Sequence, residues 1–209
     1  MKKTVMMMVC GFLLASGIAQ ATPFSNGSFE NSNISNVGPF QTLGSGSTAI
    51  DSWTVGASID YIGSYWTNFA GSKSLDLNAL SAGSISQTFD TTVGQQYVVK
   101  FELAGNPVLL PIIKELSASV GSSPDLTFTF DTTGHSTSSM GWIEKEFSFT
   151  ATASSTTLTF ASLTDGPCGP ALDNVSVSAV PEPATMMLLG FGMLGLAVYG
   201  KRRMNNKED

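Results

Sequence analysis

Apolar residues recur at every second position through the middle of this chain, and this alternation constrains the fold more than any other feature. In one segment Tyr97, Val99, Phe101 and Leu103 fall on the same side of an extended backbone. Five further segments show the same pattern: Ile85–Gln87–Phe89, Leu116–Ala118–Val120, Leu126–Phe128–Phe130, Phe147–Phe149 and Leu158–Phe160. Period-two segments separated by Gly, Asn, Asp and Pro predict short antiparallel strands. We therefore expect an all-β domain of two sheets packed face to face, a β-sandwich.

Charge is scarce and mostly negative in this region. Only 12% of the 209 residues are charged. Residues 22–180 hold four lysines against thirteen acidic residues, a net charge of −9. Such a surface repels phosphate backbones, and it carries no basic patch to offset this. We expect no nucleic-acid partner.

The first 21 residues have the three parts of a secretory signal peptide. Lys2 and Lys3 precede an apolar run over residues 5–14, and Ala19-Gln20-Ala21 supplies small residues for cleavage. We predict export, with signal peptidase cutting after Ala21. Cys168 is then the one cysteine left in the exported chain, so no disulfide can form within a monomer.

The other end carries a short apolar stretch between a Pro-Glu-Pro motif and a basic cluster. Residues 184–199 could form a transmembrane helix of about 24 Å, slightly short of a bilayer core. The basic residues at 201–203 would stay inside, which leaves residues 204–209 as a cytoplasmic tail and the β domain outside. This order resembles the PEP-CTERM sorting signal over residues 180–203. The resemblance implies recognition by an exosortase and cleavage near the motif Pro181, Glu182 and Pro183; a plain membrane anchor is the alternative.

Catalysis has little support in the sequence. His135 is the one histidine, and no nucleophile elbow or metalloprotease motif is present. A glycosidase would need two carboxylates about 5–9.5 Å apart, and thirteen acids make some such pair inevitable. We expect a protein that is not an enzyme.

An aromatic cluster is the first candidate for a ligand site. Tyr61, Tyr65, Trp66 and Asn68 fall within ten residues, among glycines and serines that indicate a loop. Aromatic rings can stack on the apolar faces of sugars while amides bind hydroxyls. Core packing of these rings is the alternative, and it is the commoner fate of any one aromatic residue.

Several short segments resemble the choice-of-anchor C family, which is related to plant cell-wall proteins of unknown function. They run in order from Asn26-Gly27-Ser28-Phe29-Glu30 through Gly71-Ser72-Lys73-Ser74-Leu75-Asp76-Leu77 to Leu172-Asp173-Asn174-Val175. The likeness spans residues 26–180. It implies a galactose-binding-like jelly-roll β-sandwich over residues 22–179, the fold of many carbohydrate-binding modules.

Glu30 and Asp173 are candidate metal ligands. If the last strand is regular, Asp173 shares the side of Val175 and Val177 and faces the core, where an unpaired carboxylate is costly. It must then be hydrogen-bonded or bound to a metal. Several carbohydrate-binding modules of the resembling fold hold a structural Ca²⁺ at positions that Glu30 and Asp173 match, and carboxylate oxygens suit calcium.

Together these features predict an exported cell-surface or extracellular-matrix protein that binds an exopolysaccharide or a cell-wall glycan without catalysis. The alternative is a structural or adhesive matrix protein with no discrete ligand. The identity of the glycan and the oligomeric state are left open by the sequence.

Overall fold

A computed structural model describes residues 22–121, 123–181, 188–197 and 199. The described part contains eleven strands and no disulfide, and Cys168 is a buried free thiol. In chain order the strands are β1 (Phe40–Leu43), β2 (Thr54–Ala57), β3 (Ile59–Ile62), β4 (Ser74–Asp76), β5 (Ser84–Asp90), β6 (Gln96–Gly105), β7 (Ile113–Val120), β8 (Leu126–Asp131), β9 (Ile143–Thr150), β10 (Ser155–Ser162) and β11 (Pro170–Ala179).

The strands form two antiparallel sheets. One sheet has six strands in the order β1-β3-β4-β11-β6-β9, and the other has five in the order β2-β5-β10-β7-β8. The chain repeatedly crosses between the sheets, so that strands adjacent in sequence, such as β5 and β6, lie in opposite layers. The predicted β-sandwich is confirmed, and the jelly-roll designation stays a prediction.

The core lies between the sheets and uses the alternation seen in the sequence. Val99, Phe101 and Leu103 of β6 are buried, and so are Leu158 and Phe160 of β10. Side chains on successive residues of a strand point to opposite faces, so β6 and β10 direct these alternate residues into the core. The period-two segments are therefore strands whose apolar side faces the opposite sheet.

The first segment of the domain docks on its last strand. The backbone N–H of Val175 donates to the carbonyl of Gly27 at 2.8 Å, and the Trp53 indole N–H donates to the Asn26 carbonyl at 2.9 Å. A Cβ at position 27 would lie 1.7 Å from the Val175 carbonyl oxygen. Only glycine allows this approach, which explains the Asn-Gly pair ahead of Phe29.

A β-bulge in β11 changes the side to which Asp173 points. Asp173 pairs with Glu102 and Ser176 pairs with Lys100. Two residues therefore lie between these pairs on β11, whereas one residue lies between them on β6. Asn174 adopts φ +49° at this irregularity. The expectation that Asp173 shares the side of Val175 and faces the core is therefore wrong, because it assumed a regular strand. Asp173 lies on the outer face of the six-stranded sheet.

A row of directly paired residues crosses that outer face. Thr42 of β1 pairs with Asp60 of β3, and Asp60 pairs with Asp76 of β4. Directly paired residues of an antiparallel sheet project their side chains to the same side. The register therefore brings two carboxylates and a hydroxyl together on one face.

Most of the two terminal signals lies outside the described residues. This holds for the predicted signal peptide (1–21), for Glu182 and Pro183, for residues 184–187 and 198 of the predicted span, and for the tail from 200 onwards. Residues 188–197 and 199 are helical. Across the described residues, no helix has the length and hydropathy needed to cross a bilayer.

Candidate functional site

A cavity of about 310 Å³ opens on the outer face of the six-stranded sheet. The Thr42–Asp60–Asp76 row forms its polar part. Asn106, Cys168 and a set of aromatic and aliphatic side chains from β1, β3 and three loops form the rest. The aromatic and aliphatic members are Phe40, Ile62, Tyr65, Ala79, Leu80, Val108, Leu109 and Pro167.

Asp60 is the accessible carboxylate of the cavity. Thr42 Oγ1–H donates to Asp60 Oδ1 at 2.6 Å, and this is the one hydrogen bond that the Asp60 carboxylate accepts from the described residues. Partial burial raises the pKa of Asp60, and the bond from Thr42 lowers it. Asp60 therefore keeps one carboxylate oxygen available for a ligand.

Asp76 is a buried carboxylate whose oxygens are already used. Oδ1 accepts from the backbone N–H of Asn78 at 2.9 Å and of Gly169 at 3.0 Å, and Oδ2 accepts from the Asn106 amide at 2.8 Å. Burial raises the pKa of Asp76 to about 7, against these three bonds. Asp76 ties the loops at 78, 106 and 169 to β4 and forms the base of the cavity.

Two aromatic rings stand at one side of the cavity. The rings of Phe40 and Tyr65 meet edge to face with centroids 5.5 Å apart. Phe40 is 46% exposed and Tyr65 is half-buried. Leu80, Val108 and Leu109 stand exposed at the cavity as well. The cavity thus combines apolar surface with a carboxylate and a hydroxyl, the composition expected of a small-molecule site.

The structure brings one of the four predicted ligand residues, Tyr65, into this cavity. Tyr61 is fully buried and its hydroxyl donates to the Phe29 carbonyl at 2.5 Å. Trp66 is 4% exposed, and its indole N–H donates to Ser74 Oγ at 2.8 Å. The prediction that Tyr61 and Trp66 stack on a ligand is wrong for this structure, because both rings are packed in the core.

Asn68 positions the loop in which the aromatic cluster lies. Its amide donates to the Gly63 carbonyl at 2.9 Å, and its Oδ1 accepts from Ser74 Oγ at 2.5 Å. Both ends of the side chain are therefore engaged within the protein. Asn68 supports Trp66 through their shared partner Ser74 and does not line the cavity.

The two predicted metal ligands meet at the segment of residues 69–73. Asp173 Oδ2 accepts from the backbone N–H of Phe69 at 3.0 Å and of Ala70 at 2.9 Å. Glu30 Oε1 accepts from the N–H of Ser72 and of Lys73, both at 2.7 Å. Burial and the nearby Glu30 raise the pKa of Asp173 to about 7. The two carboxylates thus hold one segment against the sheet.

This arrangement does not fit a calcium site. Ca²⁺ requires six to eight oxygen ligands, whereas the loop turns N–H donors toward both carboxylates. Within the described residues, no group of three or more His, Cys, Asp or Glu side chains could hold a metal. The contacts support the hydrogen-bonded alternative for Asp173, and calcium binding stays a prediction.

A wider groove of about 520 Å³ lies beside the Glu30 carboxylate. Its walls are formed largely by serines, Asn36 and glycines, with Lys73 at one side, and it has no aromatic lining. It offers hydroxyl and backbone groups but no ring face. The smaller cavity at Asp60 is chemically better suited to a sugar.

Sequence reasoning missed Phe40, Asp60 and Asp76 as site residues. A usable signal was present, since Asp60 lies between the core residues Ile59 and Tyr61, and Asp76 lies between two buried leucines. Each aspartate therefore points away from the core by strand parity. Their meeting depends on the pairing of β3 with β4, which the alternation does not specify.

Two family models match the chain. The model described as "Protein of unknown function (DUF642)" matches residues 22–178. The model described as "PEP-CTERM protein-sorting motif" matches residues 179–203. The predicted sorting motif is thereby confirmed. The likeness to the choice-of-anchor C family stays a resemblance.

One curated relative is halomucin of Haloquadratum walsbyi, which is 34% identical over 187 residues. The alignment covers 82% of this chain and 2% of halomucin, so the chain spans a very small part of that protein's length.

Solved structures with some similarity include two carbohydrate-binding modules. TmCBM61, solved with β-1,4-galactotriose, is 16% identical with a TM-score of 0.45, covering 77% of this chain and all of that one. The CBM35 module from Paenibacillus barcinonensis is 21% identical with a TM-score of 0.43, covering 67% of this chain and 99% of that one.

Proposed function

The chain belongs to the DUF642 family, whose function is unknown, and from that premise we propose that its β domain binds carbohydrate without hydrolysing it. The ligand lies in the cavity bounded by Phe40, Tyr65 and Asp60. The PEP-CTERM motif at residues 179–203 marks the protein for export to the cell surface.

The observation that carries this proposal is the side-by-side placement of Phe40 and Tyr65 next to the Thr42–Asp60 pair. A pyranose has an apolar C–H face and a rim of hydroxyls. The C–H face packs on the rings, which gain from leaving water. A sugar hydroxyl donates to Asp60 Oδ2, a charge-assisted hydrogen bond stronger than one to a neutral acceptor.

The proposal that binding is non-catalytic rests on Asp76. Glycoside hydrolysis uses two carboxyl groups that both reach the scissile bond. Asp76 is 1% exposed and its oxygens accept three bonds from the protein, which leaves Asp60 as the carboxylate within reach of a ligand.

Export places this site among the glycans of the cell surface. In this account signal peptidase removes residues 1–21 and the C-terminal stretch holds the chain in the membrane. An exosortase then cuts near Pro181–Pro183, and the domain is released to, or attached in, the extracellular matrix. The ligand is an exopolysaccharide or a cell-wall glycan.

A second candidate function is a structural matrix protein without a discrete ligand. The outer face of the five-stranded sheet favours it, because a row of hydroxyl side chains crosses that face through the pairs Thr54–Ser86, Ser86–Thr159 and Thr159–Ser119. Such a row of hydroxyl groups can pack against hydrated polymer at several equivalent positions.

Glycan binding by the purified full-length chain tests the proposal. Neutral oligosaccharides and insoluble polysaccharides are screened, and the release of reducing ends is followed in parallel. The double variant Phe40→Ala, Tyr65→Ala is expected to weaken binding about tenfold or more. Phe69→Ala is the matched control, because Phe69 is also an exposed aromatic residue but does not line the cavity.

Binding lost in the double variant and kept in Phe69→Ala, with unchanged thermal melting and no new reducing ends, supports a carbohydrate-binding module. No binding to any glycan by the folded chain favours the matrix protein. Release of reducing ends that Asp60→Asn abolishes would make the protein a hydrolase.

A further inference from the structure

We infer that this cavity selects sugars bearing a free amino group and discriminates against uronic acids, a specificity that rests on the proposed carbohydrate site. The chemistry that would recognise such a ligand is an ammonium group placed at Asp60, with the sugar ring against Phe40 and Tyr65. The ligand class is thus a polymer or oligomer of hexosamine whose amine is not acetylated.

The first support is the hydrogen bonding of the Asp60 carboxylate, which leaves one oxygen without a partner. Its Oδ1 accepts from Thr42, while Oδ2 has no hydrogen-bond partner among the described residues, and Asp60 lines the cavity. A half-buried carboxylate with a free oxygen binds an ammonium more strongly than a hydroxyl, because both partners are charged and water is partly excluded.

The second support is that no cation lines the cavity. Its described lining contains Asp60 and Asp76 but no lysine, arginine or histidine. Among the described residues, the salt bridges are those of Lys100 with Glu144 and Glu146, on another part of the sheet. Asp60 is therefore not neutralised by a side chain of the described lining.

Lys114 is a buried cation behind the loops that line the cavity. It is fully buried, and its Nζ donates to the carbonyls of Leu109 and Cys168, both at 2.7 Å. It forms no salt bridge with a described residue. Burial lowers the pKa of Lys114, and the nearby Cys168 and Asp76 raise it, whereas Asp60 has no such influence on it. Lys114 therefore holds the two loops together from behind and leaves Asp60 unpaired.

The third support is that the charge of the cavity disfavours uronic acids. A uronic acid would bring its carboxylate next to Asp60, in a domain with four lysines and thirteen acidic residues. Like charges brought close together repel and also lose hydration. The same electrostatics that attract an amine disfavour polymers of galacturonate.

The test compares two ligands that differ only at the amine and includes an acidic sugar beside them. Binding of glucosamine oligosaccharides, of their N-acetylated counterparts and of galacturonate oligosaccharides to the full-length chain is measured at about pH 6, where an amine is protonated. The free-amine ligand is expected to bind about threefold to tenfold more tightly than the N-acetylated one, and galacturonate more weakly than both.

Two isosteric variants separate a local ion pair from general attraction by an acidic domain. Asp60→Asn is expected to weaken binding of both ligands, because Asp60 also accepts from a sugar hydroxyl, and to bring the preference for the free amine close to onefold. Asp125→Asn removes one charge from an exposed position remote from the cavity lining, and the preference should survive it. Added salt should reduce the preference of the wild-type chain, which checks the ion pair without any variant.

Equal binding of the free-amine and N-acetylated ligands would overturn this inference and leave the proposed carbohydrate site standing. A preference that survives Asp60→Asn, or that Asp125→Asn removes equally, would also overturn it. Failure of every glycan to bind the folded chain would overturn the proposed function itself.

Discussion

At the scale of single residues, Gly27 shows how one missing side chain joins the two ends of the domain. A Cβ there would lie 1.7 Å from the Val175 carbonyl oxygen, a backbone atom that cannot move aside. Gly27→Ala is expected to lower the free energy of unfolding by about 2 kcal/mol or more, because the first segment must separate from β11. Denaturant unfolding measures the loss.

Gly44→Ala is the matched control, since no atom lies within 4 Å of its Cβ position and its φ is not positive. It should change stability little. Equal losses in the two variants would contradict the docking described for Gly27.

The sequence located the aromatic cluster but could not tell which of its rings is exposed. Tyr61 lies in β3 with its side chain inward, and Trp66 folds back onto Ser74, whereas Tyr65 between them reaches the cavity. Spacing alone cannot separate these residues, because residues 64–69 form a loop whose path is set by Asn68 and Asp173. Parity within β3 and β4 could have identified Asp60 and Asp76.

At the scale of elements, the segment of residues 69–73 is held by two carboxylates from distant parts of the chain. Glu30→Ala removes the acceptor for the Ser72 and Lys73 amides. Hydrogen exchange at these amides is expected to become about tenfold faster or more, since they lose their partner. Glu115→Ala, at an exposed carboxylate of β7, should leave these amides unchanged. Unchanged protection in Glu30→Ala would contradict the role given to Glu30.

The bulge in β11 is a feature that the period-two pattern of the sequence does not predict. The strand itself follows from its valines and leucine, but the extra residue between Asp173 and Ser176 reverses the side of Asp173. Asn174 gives a weak signal, because Asn tolerates positive φ better than most residues. The partner strand decides whether a bulge forms, and the sequence alone does not specify that strand.

At the scale of the whole molecule, two buried carboxylates make stability fall as the pH rises. Burial raises the pKa of Asp76 and of Asp173 to about 7, above the value of 3.8 in an unfolded chain. Between these values the folded state binds more protons than the unfolded state, so the stabilising contribution is full below about pH 4 and is lost as the pH rises through about 7.

Thermal unfolding at about pH 5 and about pH 8 measures this effect, and we expect the lower melting temperature at pH 8. Asp173→Asn should flatten the dependence, because an amide does not titrate. A melting temperature that rises with pH, or an unchanged slope in the variant, would contradict these pKa values.

Calcium provides a second test of the whole domain. Because backbone N–H groups occupy Glu30 and Asp173, EDTA and added Ca²⁺ are expected to leave the melting temperature unchanged. A ligand that binds the folded state raises its stability. A rise with Ca²⁺ that Asp173→Asn abolishes would instead support the predicted metal site.

The sandwich follows from the period-two pattern, whereas the order of strands in each sheet does not. The pairing of β4 with β11 joins residues about a hundred positions apart, whereas Thr42, Asp60 and Asp76 meet through the register of β1, β3 and β4, which are closer in sequence. The alternation of apolar residues specifies which side of a strand is apolar, but it does not specify which strands become neighbours. The cavity therefore appears only once the sheet is assembled.

Backbone amide NMR during titration with a bound oligosaccharide shows whether the carbohydrate site is the cavity at Asp60. We expect shift changes at Thr42, Asp60, Tyr65 and Leu80, with little change at Ser72 and Lys73 in the wider polar groove. Changes concentrated around Ser72 and Lys73, with residues 42, 60, 65 and 80 unaffected, would contradict it.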